Sequence, residues 1–295
     1  MAVSLAKQLE KALGSPVTGS RPMRGGDIAD VSKLTLKDGR QVVAKRPRGD
    51  QPDTTATEAM MLMHLAKASD LPVPDVLFRA AGILVISYFE HRGITEPAKA
   101  AESVAHHVAA LHRVEASKKA RQKNSRYGFE KDTVIGPLPQ RNAQLGLWPD
   151  FFAKNRLLAM ASSCMNTNKF DAAFMARVTA LSEKLKDLVP AHPANSLLHG
   201  DLWAGNILID GDTAVGFIDP AISYGHREMD LAFIALMGGL DPAFFDAYSA
   251  NYPIEPGFFE ERCALYQLWP LLVHVRLFGG GYVGQVSAIL DKFGV

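Results

Sequence analysis

One stretch of the chain, Leu198 to Pro220, orders its polar groups and apolar runs in a way that few folds accommodate. It reads LHGDLWAGNILIDGDTAVGFIDP. A polar loop, His199 to Asn206, precedes two short apolar runs that a turn at 210–212 separates, and the second run ends on Asp219. Asp and Gly between two apolar runs are typical of a β-hairpin. The sequence therefore predicts a loop followed by a strand pair, with polar side chains at its ends.

Three of these polar side chains suit phosphoryl transfer from a nucleoside triphosphate. Asp201 could accept a proton from an attacking hydroxyl, and Asn206 and Asp219 offer the hard oxygen ligands that Mg²⁺ prefers. Protein kinases have a base, a first metal ligand and a second metal ligand in this order. The alternative is an Asp-rich surface turn, which we expect for Asp210 and Asp212.

Longer strings in the chain are similar to one family. HGDLWAGNIL and FIDPAISYGHREMDLA resemble the fructosamine (ketosamine) kinases, relatives of the aminoglycoside and choline phosphotransferases, and the resemblance continues in YGFEKDTVIGPLPQ and FGGGYVGQV. It covers nearly the whole chain. The resemblance implies an α+β, bilobal protein-kinase-like fold. Residues 1–90 would form a small antiparallel β-sheet lobe that binds nucleotide. Residues 91–295 would form a mostly helical lobe with the acceptor site and the catalytic loop, which is the polar loop from His199 to Asn206.

Composition agrees with two lobes and limits the partners. A chain of 295 residues that is 47% apolar can bury a large core. The formal net charge of +1 favours neither nucleic acid nor a membrane surface. The N-terminus alternates apolar and charged residues, unlike a signal peptide, and no apolar run approaches membrane-spanning length. Two cysteines without metal-ligand spacing indicate free thiols in a reducing cytoplasm. The oligomeric state stays open.

A glycine turn and a hairpin are expected near the N-terminus. Gly25 and Gly26 precede an alternating run at 31–36, and Asp38-Gly39 predicts a turn into a return strand at 41–45. Backbone N–H groups in such a glycine turn can approach a phosphate, although most Gly-Gly pairs are simple turns.

Lys45 ends the strand that contains Val42, Val43 and Ala44, as the nucleotide-binding lysine does in kinases. A helix over 54–68 would carry Glu58 in its second turn, where kinases place the carboxylate that pairs with this lysine. The alternative for both side chains is a solvated position. By analogy with the fold, the polar segment that contains Phe89 and His91 is the hinge that offers backbone groups to adenine.

Helices are also predicted over 97–116, 148–165, 171–189 and 231–237, whereas residues 117–147 show no clear periodicity. A loop of this length tends to be functional or mobile. The resemblance implies that IGPLPQRN belongs to a substrate-side insert. His274 is interpreted as a buried core residue.

Several polar residues around the catalytic loop have two interpretations. Trp203 stands where protein kinases have a lysine, and its indole could stack on a sugar or pack under the loop. His226 and Arg227 could border the acceptor site or only form a turn. Asp230 is an N-cap candidate for the helix at 231, and the resemblance implies that it braces the catalytic loop together with His199.

These features together predict an enzyme that uses ATP and Mg²⁺ to phosphorylate a small hydroxyl compound. The resemblance implies that the acceptor is the sugar of a ketosamine, such as a fructosamine or ribulosamine, and that the activity is deglycation. Alternatives are another small acceptor, such as an aminoglycoside, a choline-like alcohol or a sugar, and a non-catalytic nucleotide-binding protein of the same fold.

Overall fold

The N-terminal part is an antiparallel sheet with one helix on each face. The computed structural model describes residues 5–23, 29–116 and 126–295. The elements of this part are α1 (Leu5–Leu13), β1 (Val17–Pro22), β2 (Ala29–Leu36), β3 (Gln41–Pro47), α2 (Thr55–Ala68), β4 (Val76–Ala80) and β5 (Ile83–Ser87). The five strands lie in the order β1-β2-β3-β5-β4, and every neighbouring pair is antiparallel.

The alternation of side chains along β3 assigns each residue to one helix. Successive side chains of a strand point to opposite faces. Val42 and Ala44 belong to the apolar cluster that includes α1, whereas Val43 belongs to the cluster that includes α2. Lys45 lies two positions after Val43 and therefore points toward α2. The continuous run at 83–86 in β5 is buried on both faces, as the sequence predicted.

The rest of the chain is mainly helical around one large core. Its helices are α3 (Pro97–His112), α4 (Trp148–Phe151), α5 (Ala159–Asn166), α6 (Ala172–Leu188), α7 (Glu228–Met237), α8 (Ala243–Asn251), α9 (Cys263–Phe278) and α10 (Gly281–Lys292). The π-helical segment Phe152–Leu158 joins α4 to α5. A second π-helical segment, Phe258–Arg262, directly precedes α9. The α+β prediction is confirmed, while the division at residue 90 stays a proposal.

Short strands carry the polar loops of this part. They are β6 (Gly93–Ile94), β7 (Thr133–Ile135), β8 (Leu138–Gln140), β9 (Ser196–Leu198), β10 (Ile207–Gly211), β11 (Thr213–Phe217) and β12 (Ser223–Gly225). The predicted hairpin after the catalytic loop is β10–β11. The hairpin β7–β8 lies within 117–147, where the sequence shows no clear periodicity. Its strands have three residues each, which is too short to show a period of two.

Two predicted helix boundaries were wrong. Helix α3 ends at His112 instead of residue 116. Helix α7 begins at Glu228 instead of Leu231, so Asp230 lies in its first turn and is not its N-cap. Both cysteines are buried and free, as expected. In the described ranges, no helix has the length and apolarity needed to cross a membrane.

Candidate active site

A cleft of about 660 Å³ brings together side chains from the sheet, the catalytic loop and the C-terminal helices. Its lining includes the predicted nucleotide and catalytic residues Lys45, Glu58, Phe89, His91, Asp201, Trp203, Asn206 and Asp219. These residues are up to 174 positions apart in the chain. The prediction of one common site for them therefore agrees with the geometry.

Lys45 is the positive centre of the cleft. Its side chain is 8% exposed, and its Nζ donates to Glu58 Oε1 at 2.6 Å and also to Asp219. Burial alone would lower the pKa of Lys45, but the carboxylates of Asp219 and Glu58 outweigh burial and raise it. The lysine therefore keeps its charge at neutral pH, as a ligand for phosphates must.

Asp219 lies where the chain leaves β11, in a left-handed backbone conformation with φ of 55°. This region is uncommon for residues other than glycine. Backbone hydrogen bonds hold the chain on both sides of it: Ile218 donates to the carbonyl of Asn206 at 3.0 Å and Ala221 donates to the carbonyl of His199 at 2.7 Å. The Asp219 side chain is 46% exposed to the cleft, so its carboxylate is available to a ligand.

Asp201 and Asn206 face each other within the catalytic loop. The Nδ2 atom of Asn206 donates to the backbone carbonyl of Asp201 at 2.8 Å and to its Oδ2 at 3.0 Å. Burial raises the pKa of Asp201 to about 7, although the hydrogen bond from Asn206 opposes this shift. The amide oxygen of Asn206 is thereby turned away from Asp201. An amide oxygen and the carboxylate of Asp219 are hard donors that fit Mg²⁺.

Asp230 holds the start of the catalytic loop through its backbone, as the resemblance implied. Its carboxylate accepts hydrogen bonds from the backbone N–H groups of His199 at 2.8 Å and Gly200 at 2.9 Å. A β-carbon on Gly200 would lie 1.9 Å from the carbonyl oxygen of Ala221, and φ at this residue is 84°. Only glycine therefore fits where the two loops cross. The His199 ring is buried, with its centroid 6.4 Å from that of Phe217, and its structural role stays a prediction.

The Trp203 indole lines the cleft and also packs on its own loop. A β-carbon on Gly205 would lie 2.3 Å from the six-membered ring of Trp203, so the indole rests directly on the glycine backbone. The structure therefore shows the packing of Trp203 on the loop, while stacking on a sugar stays a prediction. Trp203 can present an apolar wall to a ligand because Gly205 leaves space for it.

The hinge segment follows β5 and contributes to the cleft. Phe89 and His91 line the cleft, and Nδ1 of His91 lies 2.9 Å from the carbonyl oxygen of Phe89. The ring of Phe89 packs so closely on Gly216 that a β-carbon there would lie 2.7 Å from it. That this segment binds adenine stays a prediction. Gly25 and Gly26 lie outside the described residues.

His226 and Arg227 do not border the cleft, which corrects one of their two interpretations. The imidazole of His226 is buried, with Nδ1 2.8 Å from the hydroxyl of Tyr266. The guanidinium of Arg227 donates to the carbonyl of Tyr252 at 3.1 Å and lies 3.7 Å from the centroid of its ring. Both side chains therefore secure the start of α7 against the C-terminal helices, and neither lines the cleft.

Sequence reasoning missed an aromatic cluster on α9 and α10. His274, Phe278 and Tyr282 line the cleft, with the ring of His274 4.9 Å from Tyr282 and 5.7 Å from Phe278. The prediction that His274 is a core residue was wrong, because it is only partly buried. The string FGGGYVGQV, which contains Phe278 and Tyr282, was the available signal.

A lysine on a small antiparallel sheet, held between two carboxylates and facing an Asp–Asn loop, defines a phosphotransferase of the protein-kinase-like fold. A solved aminoglycoside phosphotransferase, APH(2")-IIa in complex with gentamicin, shares this fold with a TM-score of 0.64, 16% identity and coverage of 99% of this chain and 95% of that one. At this identity, the likeness concerns the fold alone. The family follows from closer relatives.

The model of the family described as fructosamine kinase matches residues 1–294, and the chain belongs to this family. A protein of Synechocystis sp. named "Probable ketoamine kinase" is 32% identical over 302 residues, which cover 98% of this chain and 95% of that protein. A solved structure from Thermobifida fusca, described as a "putative fructosamine-3-kinase", has a TM-score of 0.84 and 31% identity over 98% of each chain.

A further relative matches over only part of its length. A "Probable ketoamine kinase" of Enterococcus faecium is 40% identical over 168 residues, 57% of this chain, and the match spans 60% of that protein. The predictions of the family and of a kinase are confirmed.

Proposed function

We propose that the protein transfers a phosphoryl group from ATP to a sugar hydroxyl of a ketosamine, with Mg²⁺ on the phosphates. One observation carries the proposal: Lys45, Asp201, Asn206 and Asp219 line one cleft, with Asn206 bonded to Asp201 and Lys45 bonded to Asp219. A non-catalytic nucleotide-binding protein of this fold would not require the complete set.

The nucleotide would lie between the sheet and the hinge. Lys45 would neutralise the α- and β-phosphates, and Glu58 would hold the ammonium in place through its 2.6 Å hydrogen bond. Phe89 and His91 border the same cleft and would flank the adenine.

Asn206 and Asp219 would hold Mg²⁺. The bound ion would neutralise charge on the transferring phosphate. Asp201 is the proposed base, since its carboxylate lines the cleft next to Asn206 and its pKa of about 7 is close to a neutral working pH. Positioning and charge neutralisation contribute most to catalysis of this kind.

The acceptor end of the cleft favours an uncharged sugar over a polycation. Among the described lining residues, the carboxylates are Glu58, Asp201 and Asp219. Glu58 and Asp219 contact Lys45, and Asp201 accepts from Asn206, so all belong to the phosphate end. The cleft is also lined by the aromatic rings of Trp203, His274, Phe278 and Tyr282. Aromatic faces suit the apolar face of a sugar ring, and a nearby protonated amine would gain a cation–π contact.

The names of the relatives agree with this acceptor class, since they describe ketoamine and fructosamine-3-kinases. We therefore propose a fructosamine or ribulosamine acceptor. The product would be the 3-phosphate, whose breakdown frees the amine. Two buried, free thiols fit a reducing cytoplasm, which we propose as the location. We also propose that residues 1–90 and 91–295 act as nucleotide-binding and acceptor lobes.

The test is an ADP-release assay with ribulosamine, fructosamine, an aminoglycoside and choline, each with and without Mg²⁺. We expect Mg²⁺-dependent ADP release with the two ketosamines, and a phosphorylated sugar by mass spectrometry. Release above the background rate with only the aminoglycoside or choline would replace the proposed acceptor. Nucleotide binding without release for any acceptor would indicate a non-catalytic protein.

A further inference from the structure

The hairpin β7–β8 contacts the chain just after Asp219. The Nε2 atom of Gln140, the last residue of β8, donates to the carbonyl oxygen of Ala221 at 2.7 Å and to the hydroxyl of Thr133 at 2.9 Å. The Thr133 hydroxyl in turn donates to the carbonyl oxygen of Ile222 at 3.2 Å. Gln140 and Thr133 are 1% and 2% exposed. A buried amide and a buried hydroxyl therefore hold two successive peptide groups of the segment that follows the metal ligand.

The same segment is tied on its other side to the catalytic loop. The N–H of Ala221 donates to the carbonyl of His199, while its carbonyl accepts from Gln140. The carbonyl oxygen of Ala221 also meets the backbone of Gly200 so closely that no side chain fits there. Ala221 is thus fixed from both sides, by the loop that carries Asp201 and by the insert that carries Gln140.

Asp219 needs such support because its own conformation is unfavourable. Its φ of 55° is uncommon for a residue with a side chain, and Pro220 further restricts the residue before it. A conformation of this kind persists only where the surroundings hold it in place. Pro220 has no N–H to contribute, so the first backbone donor after Asp219 is the N–H of Ala221. Loss of the contact on the Ala221 carbonyl would remove one of the two hydrogen bonds that fix Ala221 and would leave only the bond from its N–H to His199.

We propose that Gln140 is a positioning residue for the metal ligand Asp219. It acts through the peptide groups of Ala221 and Ile222 and does not touch the metal or the substrates. The inference rests on the proposed function, since it takes Asp219 as a ligand of Mg²⁺. Groups that orient a metal ligand commonly affect metal affinity even though they lie outside the coordination sphere.

Two other roles for Gln140 have different consequences. If it only satisfies buried carbonyl groups, its loss lowers stability and leaves metal binding unchanged. If it only shapes the acceptor end, where Val134, Ile135 and Gly136 of the same hairpin line the cleft, its loss changes the KM for the acceptor. The proposal predicts weaker metal binding even when no acceptor is present.

The chain offers a matched control in Asn155. Its Nδ2 atom donates to the carbonyl oxygen of Ala143 at 2.7 Å, and the residue is 6% exposed. This hydrogen bond also joins a buried amide to a backbone carbonyl in the 126–147 segment. It does not reach the segment after Asp219. Asn155→Ala therefore measures how much stability is lost with such a hydrogen bond when the segment after Asp219 is not affected.

The experiment measures Mn²⁺ binding to the full chain in the presence of ADP, from the electron paramagnetic resonance signal of free Mn²⁺. For Gln140→Leu we expect the Kd of Mn²⁺ to rise by about tenfold or more. For Asn155→Ala we expect it to stay at the wild-type value. ADP affinity without metal should be the same in all three proteins, and urea unfolding should show lower stability for both variants.

The proposal is overturned if Gln140→Leu binds Mn²⁺ as tightly as the wild type. It is also overturned if the Kd of Mn²⁺ rises by the same factor in Gln140→Leu and Asn155→Ala. If Gln140→Leu shows no cooperative urea transition, Gln140→Met takes its place, because an unbranched side chain of similar length fills the same space and also lacks the Nε2 donor to Ala221; an unchanged Mn²⁺ affinity then overturns the proposal. A wild-type protein that binds ADP but no Mn²⁺ contradicts the proposed function itself.

Discussion

The Nζ atom of Lys45 donates a hydrogen bond to the carboxylate of Asp219, although 174 positions separate the two residues in the chain. The lysine comes from the central region of the sheet and the carboxylate from the end of the β10–β11 hairpin. Their contact joins the proposed phosphate-binding group to the proposed metal ligand across the cleft. This pair links the sheet directly to the end of the hairpin that follows the catalytic loop.

Replacing Lys45 should remove phosphoryl transfer. For Lys45→Met we expect kcat to fall by about 10²–10³-fold, because a positioned charge on the phosphates is lost. Glu58 and Asp219 also lose their common partner. The assay is Mg²⁺-dependent ADP release with a ketosamine. The exposed Lys37 provides the control Lys37→Met, which should keep the wild-type rate, and equal rates for both variants would contradict the assignment.

Asp201→Asn should separate chemistry from binding. The variant keeps the shape of the side chain but cannot accept the proton of a hydroxyl, so we expect kcat to fall by about 10²–10⁴-fold. The affinity for ATP, measured by calorimetry, should change little, because the proposed nucleotide contacts lie on the sheet. A variant with near-normal kcat at saturating acceptor would show that Asp201 is not the base.

Gly205→Ala should displace the indole of Trp203. The new methyl group would lie within 2.3 Å of the ring, so the ring has to move. A misplaced positioning group can cost up to about 10²-fold in rate, and we expect the loss in kcat/KM for the ketosamine and not in the KM for ATP. The control is Gly284→Ala in α10, where nothing lies within 4 Å of the new methyl group. Equal kinetics for the two variants would remove Trp203 from the acceptor site.

Stability should fall as the pH is lowered below about 6.5, the ordinary pKa of histidine. Burial lowers the pKa of His226 well below its usual value, and the positive charges of Arg262 and Arg227 add to this effect. The carboxylate of Glu228, 3.8 Å from the imidazole, is engaged by Arg262. Below this pH, His226 binds a proton in the unfolded chain but stays neutral in the folded chain. Acid therefore favours unfolding.

The loss attributable to His226 between pH 7.5 and pH 5.5 reaches about 1.4 kcal/mol at most, when the folded chain takes up no proton on this side chain. Urea unfolding at both pH values measures it. In His226→Gln, the difference in unfolding free energy between the two pH values should shrink by about this amount. His192→Gln, which replaces an exposed histidine, should keep the wild-type difference. If the difference in unfolding free energy between the two pH values is unchanged in His226→Gln, His226 binds its proton as readily in the folded chain as in the unfolded chain.

Local patterns in the sequence predicted the elements that depend on near neighbours. The strand pair around 38–39, the buried run at 83–86 and the hairpin after the catalytic loop were all visible in alternation and turn residues. The order of Asp201, Asn206 and Asp219 was visible because all three lie in one loop and the hairpin that follows it. Long strings shared with the fructosamine kinases identified the family.

Other features could be known only from the tertiary structure. The sequence left two possible sites for His226 and Arg227, and packing against Tyr266 and Tyr252 decided between them. It placed His274 in the core, whereas the crossing of α9 and α10 turns the ring into the cleft.

Residue types and turn signals were enough to name the polar side chains of the cleft and their order along the chain. Which distant groups support them depends on packing between elements. Gln140 lies 81 residues before Ala221, and Asp230 lies 31 residues after His199. Such contacts depend on how whole elements pack, because local periodicity carries no information about partners so far apart in the chain.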